Sequence, residues 1–259
     1  MSRIDFMALI VPILGAVGEE APSGLIFALT ESTWEGKAIL LVLFLGSIFS
    51  WSVMVTKIRN LRFARVQSDR FSVLFRRSRD PIRIFEQGIV FEGSPLYEIY
   101  RAGCEELCFQ MLGTNEVEDG LRERLEGAPK ITPSQMRAVE AAMERALGEA
   151  ALRLESLMTI LSVAVSGAPF LGLLGTVWGV MDAFSSVATS ASASLASLAP
   201  GVSGALVTTV LGLLVAIPAM FGYNFLVGTI RSMIVRSENF AAELASAFEH
   251  RYVRHGGET

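Results

Sequence analysis

The sequence predicts an all-α membrane protein with three transmembrane helices and long helical extensions on the cytoplasmic side. Three observations carry that expectation. With 51% hydrophobic residues and a mean hydropathy of +0.47, the chain is too apolar for a soluble domain, yet 19% of its 259 residues are charged, so the two kinds of sequence must be housed apart. Charges all but vanish from three stretches, each long enough to cross a bilayer as a helix of about 20 residues. Basic residues gather at one end of each stretch. A net charge of -4, with the basic residues beside apolar runs and not in a patch of their own, argues against nucleic-acid binding.

Segment 1–35 opens with an apolar run, Phe6 to Val17, that is too short to span and contains Pro12. It fits an interfacial helix. It equally fits a signal peptide, since Ala16, Val17 and Gly18 resemble a signal-peptidase site, although Arg3 and Asp5 cancel. Both readings start the first spanning helix from the periplasm. That helix is placed at 36–56, around the uncharged run Ala38 to Val55. Lys57, Arg59, Arg62 and Arg65 follow it, whereas Glu31, Glu35 and only Lys37 precede it, so its C-terminal end faces the cytoplasm.

Residues 57–153 are charged and amphipathic and are expected to form a cytoplasmic helical domain. Within it, Thr132, Pro133 and Gln135 fit an N-cap, a first-turn proline and the third position of a capping box. A stripe of Met136, Val139, Met143, Leu147, Ala150, Leu154 and Leu157 then predicts one unbroken helix of about 50 residues, near 75 Å long, reaching some 40 Å beneath the bilayer. Spanning helices two and three are placed at 154–184 and 198–228, around the charge-free polar loop 185–197, which faces the periplasm. Arg145 and Arg153 before the second, and Arg231 and Arg236 after the third, give the same orientation: N-terminus periplasmic, C-terminus cytoplasmic. Residues 229–259 continue as a cytoplasmic helix with Met233, Phe240, Leu244 and Phe248 on related faces; the alternative is a helix lying on the membrane surface. Cys104 and Cys108 read as reduced thiols, and His250 and His255 are too far along the chain to complete a metal site with them. No metal or cofactor is expected.

In the interiors of the second and third spans, counted from Ser156, there is no Lys, Arg, Glu or His. The only acid, Asp182, lies within about one turn of the periplasmic end. A chain without a mid-membrane carboxylate cannot relay protons by itself, so a partner must supply the titrating group. The spans do contain Thr176 and Thr209. Both lie some eight to ten residues in from the shared hairpin, about 12 to 15 Å, and are expected to face each other. Gly172, Gly175 and Gly179 in one helix, with Ala205, Thr208, Gly212 and Ala216 in the other, recur at spacings that permit close helix approach. The threonines fit two roles: packing, with each hydroxyl bonded back to its own helix, or a functional pair. Pro169 and Pro218 interrupt their helices and either shape a cavity or are ordinary membrane-helix irregularities. Trp34, Trp178 and Tyr223 read as interfacial anchors.

PFLGLLGTVWGVMDAF from Pro169 and APGVSGALVTTVLGLLVAIPAMFGYN from Ala199 resemble the two signature helices of the TolQ, ExbB and MotA proton-channel family. In the first span, SIFSWSVMVTKIRNLRFAR resembles the TolQ branch more than the ExbB branch. The resemblance implies a homo-pentameric ring in the inner membrane. The ring would surround a smaller single-span partner similar to TolR or ExbD, whose membrane aspartate titrates and whose periplasmic extension would deliver the work to the outer envelope, with a TolA- or TonB-like protein as a further partner. By the same implication, Thr176 and Thr209 match the threonines that line the proton path. Gly204 stands where the family usually has a glutamate, which puts in doubt any step assigned to that carboxylate; Asp182 is a candidate for partial compensation. The expected function is a non-enzymatic, proton-driven motor subunit of TolQ type, serving outer-membrane integrity and cell division. An ExbB-like role in energising uptake is the alternative. A MotA-like stator usually has four membrane helices. Rivals from other classes are a self-sufficient channel or transporter and a passive scaffold.

Overall fold

The computed structural model describes residues 34–78, 80–114, 120–189 and 195–254. The N-terminal run Phe6 to Val17, the Ala16 to Gly18 triplet, part of the polar loop (190–194) and His255 lie outside the described residues. Seven helices follow one another: α1 (Trp34–Arg77), α2 (Arg83–Glu86), α3 (Pro95–Leu112), α4 (Leu121–Gly127), α5 (Pro133–Glu155), α6 (Met158–Thr189) and α7 (Leu195–Tyr252). No strand occurs among the described residues; a single parallel bridge joins Ile131 to Val253. Three helical stretches, in α1, in the α5–α6 run and in α7, are long and apolar enough to cross a membrane.

The chain divides into two compact units. Of the described residues, the first comprises those up to Val53 together with those of Thr159–Gly222, and so holds the apolar parts of α1, α6 and α7. Its described side chains are apolar on the outside as well: Leu41, Phe44, Phe49, Phe170, Leu173, Val177, Val210 and Phe221 are all exposed. A helix that is apolar on every side is at home in lipid or against a partner of like character. Small residues hold the inner contacts, with Leu43 packed on Ala168 and Ala216.

The second unit, Met54–Met158 with the chain from Tyr223 onward, has the core of a water-exposed helical domain. Phe71 is fully buried at its centre, with the rings of Phe75, Phe91, Tyr97, Tyr100 and Phe240 at centroid distances of 5.2 to 5.9 Å. Most of these pairs are tilted or edge-on, the favoured arrangement of aromatic quadrupoles. Phe240, Leu244 and Phe248 belong to this core. The amphipathic end of α7 is therefore folded against protein, and the membrane-surface alternative does not hold. Tyr100 accepts a hydrogen bond from the Phe85 amide at 2.9 Å. Buried Asp80 is paired with Arg122 at 3.2 Å and Arg251 at 3.0 Å, which ties α7 to the loops around α2 and α4. Cys104 and Cys108 are buried free thiols; desolvation pushes Cys104 well up and Cys108 to about 11, so neither is a thiolate near neutral pH.

Local signals explain the helix starts. Thr132 caps α5 by accepting from the Gln135 amide at 3.3 Å, and the Gln135 side-chain oxygen accepts from the Thr132 amide at 2.9 Å, with Pro133 in the first turn. Ser94 and Pro95 begin α3 in the same manner, and Gly113 ends it in the left-handed conformation. Two boundaries extend the reading made from sequence. α6 runs on to Thr189 and α7 begins at Leu195, so helix enters both ends of the segment placed as a loop at 185–197.

The unbroken helix expected from Thr132 through the membrane is in fact two helices. α5 ends at Glu155, Ser156 is extended, and Leu157 takes a positive φ of 65° before α6 begins. The group that satisfies the helix end lies 96 residues upstream of Arg153. Lys57 of α1 is buried and its ammonium donates to Arg153 O at 3.2 Å, Leu154 O at 3.0 Å and Ser156 Oγ at 3.0 Å. A cation at a helix C-terminus satisfies carbonyls that have no further helical donor and complements the negative end of the helix dipole. Lys57→Met is expected to destabilise the chain by about 2 kcal/mol, because two carbonyls lose their donor in a buried place. Denaturant titration followed by helix circular dichroism checks this; an unchanged midpoint would sink the assignment of Lys57 as the lock of the break.

Candidate functional site

The site is built where α6 and α7 come closest. Along α6, Ala168, Gly172, Gly175, Gly179 and Ala183 recur every three or four residues; along α7, Gly201, Ala205, Thr208, Gly212 and Ala216 do the same. These two stripes face each other so tightly that a side chain would not fit at several positions. A Cβ on Gly172 would stand 2.9 Å from Thr208 O and 3.0 Å from Thr209 Cα, and one on Gly212 would stand 2.6 Å from Ala168 O. On Gly175 it would meet the Thr208 side chain, on Gly179 the Ala205 methyl at 2.8 Å, and on Gly201 the Ala183 methyl at 2.8 Å. Backbones that approach this closely leave their carbonyls within reach of the neighbouring helix.

Three hydroxyls use that reach. Gly172 O accepts from Thr209 Oγ1 at 3.0 Å, Thr208 Oγ1 at 3.1 Å and Thr176 Oγ1 at 3.2 Å. Ala205 O accepts from Thr208 Oγ1 at 2.7 Å and Thr176 Oγ1 at 3.1 Å. The Thr176 and Thr209 hydroxyls are themselves in hydrogen-bond contact. Each threonine carries one proton, so three protons serve more contacts than they can satisfy at once, and the bonds must alternate. Each hydroxyl oxygen also offers two acceptor positions, so the group as a whole has lone pairs to spare. It can receive a hydrogen bond from an incoming proton donor, pass it along and rearrange, but it cannot store a charge.

Exposure separates the three. Thr208 is only 1% exposed, wedged between the helices, whereas Thr176 and Thr209 are half-buried and reach the edge of the contact. Thr208 was counted from sequence only among the small packing residues. Its place in the α7 stripe gives its position, but nothing in the sequence marks it as a buried hydroxyl that, like Thr176, bonds both carbonyls. Gly201 extends the stripe by one more turn and was not singled out. Thr176 bonds both to Gly172 of its own helix and across to Ala205, and Thr209 bonds across to Gly172, so self-satisfied packing describes neither member of the pair.

The remaining residues named from sequence lie around this centre. α6 continues through Pro169 and α7 through Pro200 and Pro218, although each proline removes one backbone donor. Asp182 is exposed on α6, six residues or about 9 Å along the axis from Thr176, and is not part of the hydroxyl cluster. Gly204 is buried in α7. Since Gly179 packs on Ala205 and Ala183 on Gly201, Asp182 stands within about one turn of the level of Gly204, on the exposed side. No group of three or more His, Cys, Asp or Glu that would hold a metal occurs among the described residues.

Comparison with known proteins bears on this arrangement. The family model described as the MotA/TolQ/ExbB proton channel family matches residues 108–239, which include all of α6 and every residue of the hydroxyl cluster. The chain is 32% identical over 218 residues to the Tol-Pal system protein TolQ of Pseudomonas aeruginosa, covering 83% of this chain and 87% of that protein. It is 29% identical over 251 residues to the biopolymer transport protein ExbB of Xanthomonas campestris pv. campestris, covering 96% and 90%. To TolQ of Haemophilus influenzae it is 29% identical over 208 residues, covering 80% and 86%.

Proposed function

The chain belongs to the MotA/TolQ/ExbB proton channel family and is a multi-pass inner-membrane protein, and we propose that it is the TolQ-like ring subunit of a motor driven by the proton gradient. The observation that carries the proposal is the contact between the Thr176 and Thr209 hydroxyls beside Gly172 O, in spans that hold no central carboxylate. Such a site accepts and relays a hydrogen bond but has nothing that takes up and releases a proton. The titrating group is then the aspartate of a single-span partner of TolR or ExbD type, enclosed by a pentamer of this chain. Thr176 and Thr209 line its path. Gly172, Gly175, Gly179 and Gly212 bring the helices close enough for the relay, and Pro169 and Pro218 shape the space around it. Asp182 is an accessory group near the outer end.

The orientation that serves this reading has the N-terminus in the periplasm and the C-terminus in the cytoplasm, as the basic residues after 56 and 228 favour. Proton passage would drive relative movement of ring and partner, and a TolA-like protein would carry the work to the outer envelope in support of its integrity during division. An ExbB-like role coupled to a TonB-like protein is the second reading, favoured by the ExbB match that extends over 96% of the chain.

Proton uptake into vesicles tests the proposal. Vesicles with this chain alone are expected to show no flux above empty liposomes, and vesicles with the chain and a TolR-type partner to acidify under an imposed potential. Sustained flux from the chain alone would establish a self-sufficient channel, and no flux in either preparation would leave a scaffold; both outcomes overturn the proposal.

A further inference from the structure

We propose that a cavity of about 470 Å³ between α1 and the α7 segment from Asn224 to Ser237 is a binding site for a phosphate-bearing anion. Arg65 enters it from α1 and Arg236 from α7, joined by the hydroxyls of Ser232 and Ser237 and the Asn224 amide, whereas the Thr229 hydroxyl in the same wall donates to Phe225 O at 2.9 Å. No carboxylate lines it. A wall of two guanidinium groups and several neutral donors matches an anion with several acceptor oxygens, and Asp69, the ion-pair partner of Arg236, lies outside the lining.

The chain itself does not use up these donors. Arg236 pairs with Asp69 and reaches Ser72 Oγ at 3.0 Å, which leaves other guanidinium N–H groups for a ligand. Arg65 is exposed and has no ion pair among the described residues. Ser237 is the more telling residue. It is only 1% exposed, and its hydroxyl has no hydrogen-bond partner among the described residues. A buried hydroxyl left unpaired is costly, and a ligand oxygen in the cavity that it lines would remove the cost.

Position favours a lipid as the source of the phosphate. The uncharged run of α7 ends at Ile230 and Arg231 is the first charge after it, so the cavity lies where apolar sequence gives way to polar. That transition is the level of phospholipid headgroups. Phe225, Leu96 and Met233 give the cavity an apolar side beside its basic one, as a headgroup with its glycerol backbone requires. A soluble phosphate ester has the same oxygens and lacks the need for that apolar side.

The test is native mass spectrometry of the delipidated full chain, titrated with phosphatidylglycerol, with diacylglycerol as the lipid lacking phosphate, and with sn-glycerol 3-phosphate as the soluble ester. Phosphatidylglycerol is expected to bind and diacylglycerol not. Arg65→Gln is expected to weaken the binding roughly fivefold, the contribution of one basic residue near an anionic group. Arg70→Gln, an exposed arginine of α1 outside the cavity, should leave it unchanged. Glycerol 3-phosphate binding as tightly as phosphatidylglycerol would support the site and assign it to a soluble ligand. Equal binding of phosphatidylglycerol and diacylglycerol, or equal losses in the two arginine variants, would overturn the proposal.

Discussion

Gly212→Ala is expected to lower the thermal midpoint of the detergent-solubilised chain by about 3 to 10 °C, and Gly212→Leu to prevent α6 and α7 from docking. The new methyl would stand 2.6 Å from Ala168 O and 3.1 Å from Gly172 Cα. Both are backbone atoms, so no side chain can swing aside and the helix axes themselves must separate. Overpacking costs about 1 to 3 kcal/mol where some relaxation is possible, and a chain of this length loses a few degrees per kcal/mol. Separation would also pull Thr208 and Thr209 from Gly172 O, adding lost hydrogen bonds to the steric cost. Gly46→Ala is the control. Gly46 lies in the first spanning stretch with nothing within 4 Å of its Cβ position, and alanine there gains helix propensity. If both variants melt together, close approach at Gly212 is not what holds the pair.

That contrast also marks how far the sequence could be read. The three spans, the cap at Thr132 and the matched depth of Thr176 and Thr209 were legible, because each depends on residues near one another in the chain or on a regular helical count. The stripe through Gly172, Gly175, Gly179 and Gly212 was legible for the same reason. The break at Ser156 and Leu157 was not. The apolar stripe runs through it, neither residue is glycine or proline, and the groups left at the stop are satisfied by an ammonium group 99 residues before Ser156. Thr208 was half-legible: its position follows from the stripe, but its grip on two carbonyls follows from how near the helices come. What a local pattern encodes can be read locally, and what a distant side chain imposes cannot.

Thr209→Val and Thr176→Val are expected to leave the chain folded and assembled yet reduce proton flux with the partner by about tenfold to a hundredfold, the range for losing one hydrogen bond to an ionic group. Valine keeps the shape of threonine and removes only the hydroxyl. Packing should survive because Thr208, the fully buried member, still donates to Gly172 O and Ala205 O. Thr208→Val makes the converse prediction: it strips the contact of its buried donor and should lower stability by about 1 kcal/mol, a typical interhelical hydrogen bond in a membrane, while the half-buried pair stays in place. Thr209→Ser restores the hydroxyl on a smaller side chain and should recover most of the flux. These four variants thus separate relay from packing at one crossing. Flux at the level of the unaltered chain in both Thr176→Val and Thr209→Val would remove the hydroxyl pair from the proton path. Loss of flux in Thr208→Val alone would move the path to the buried side of the contact.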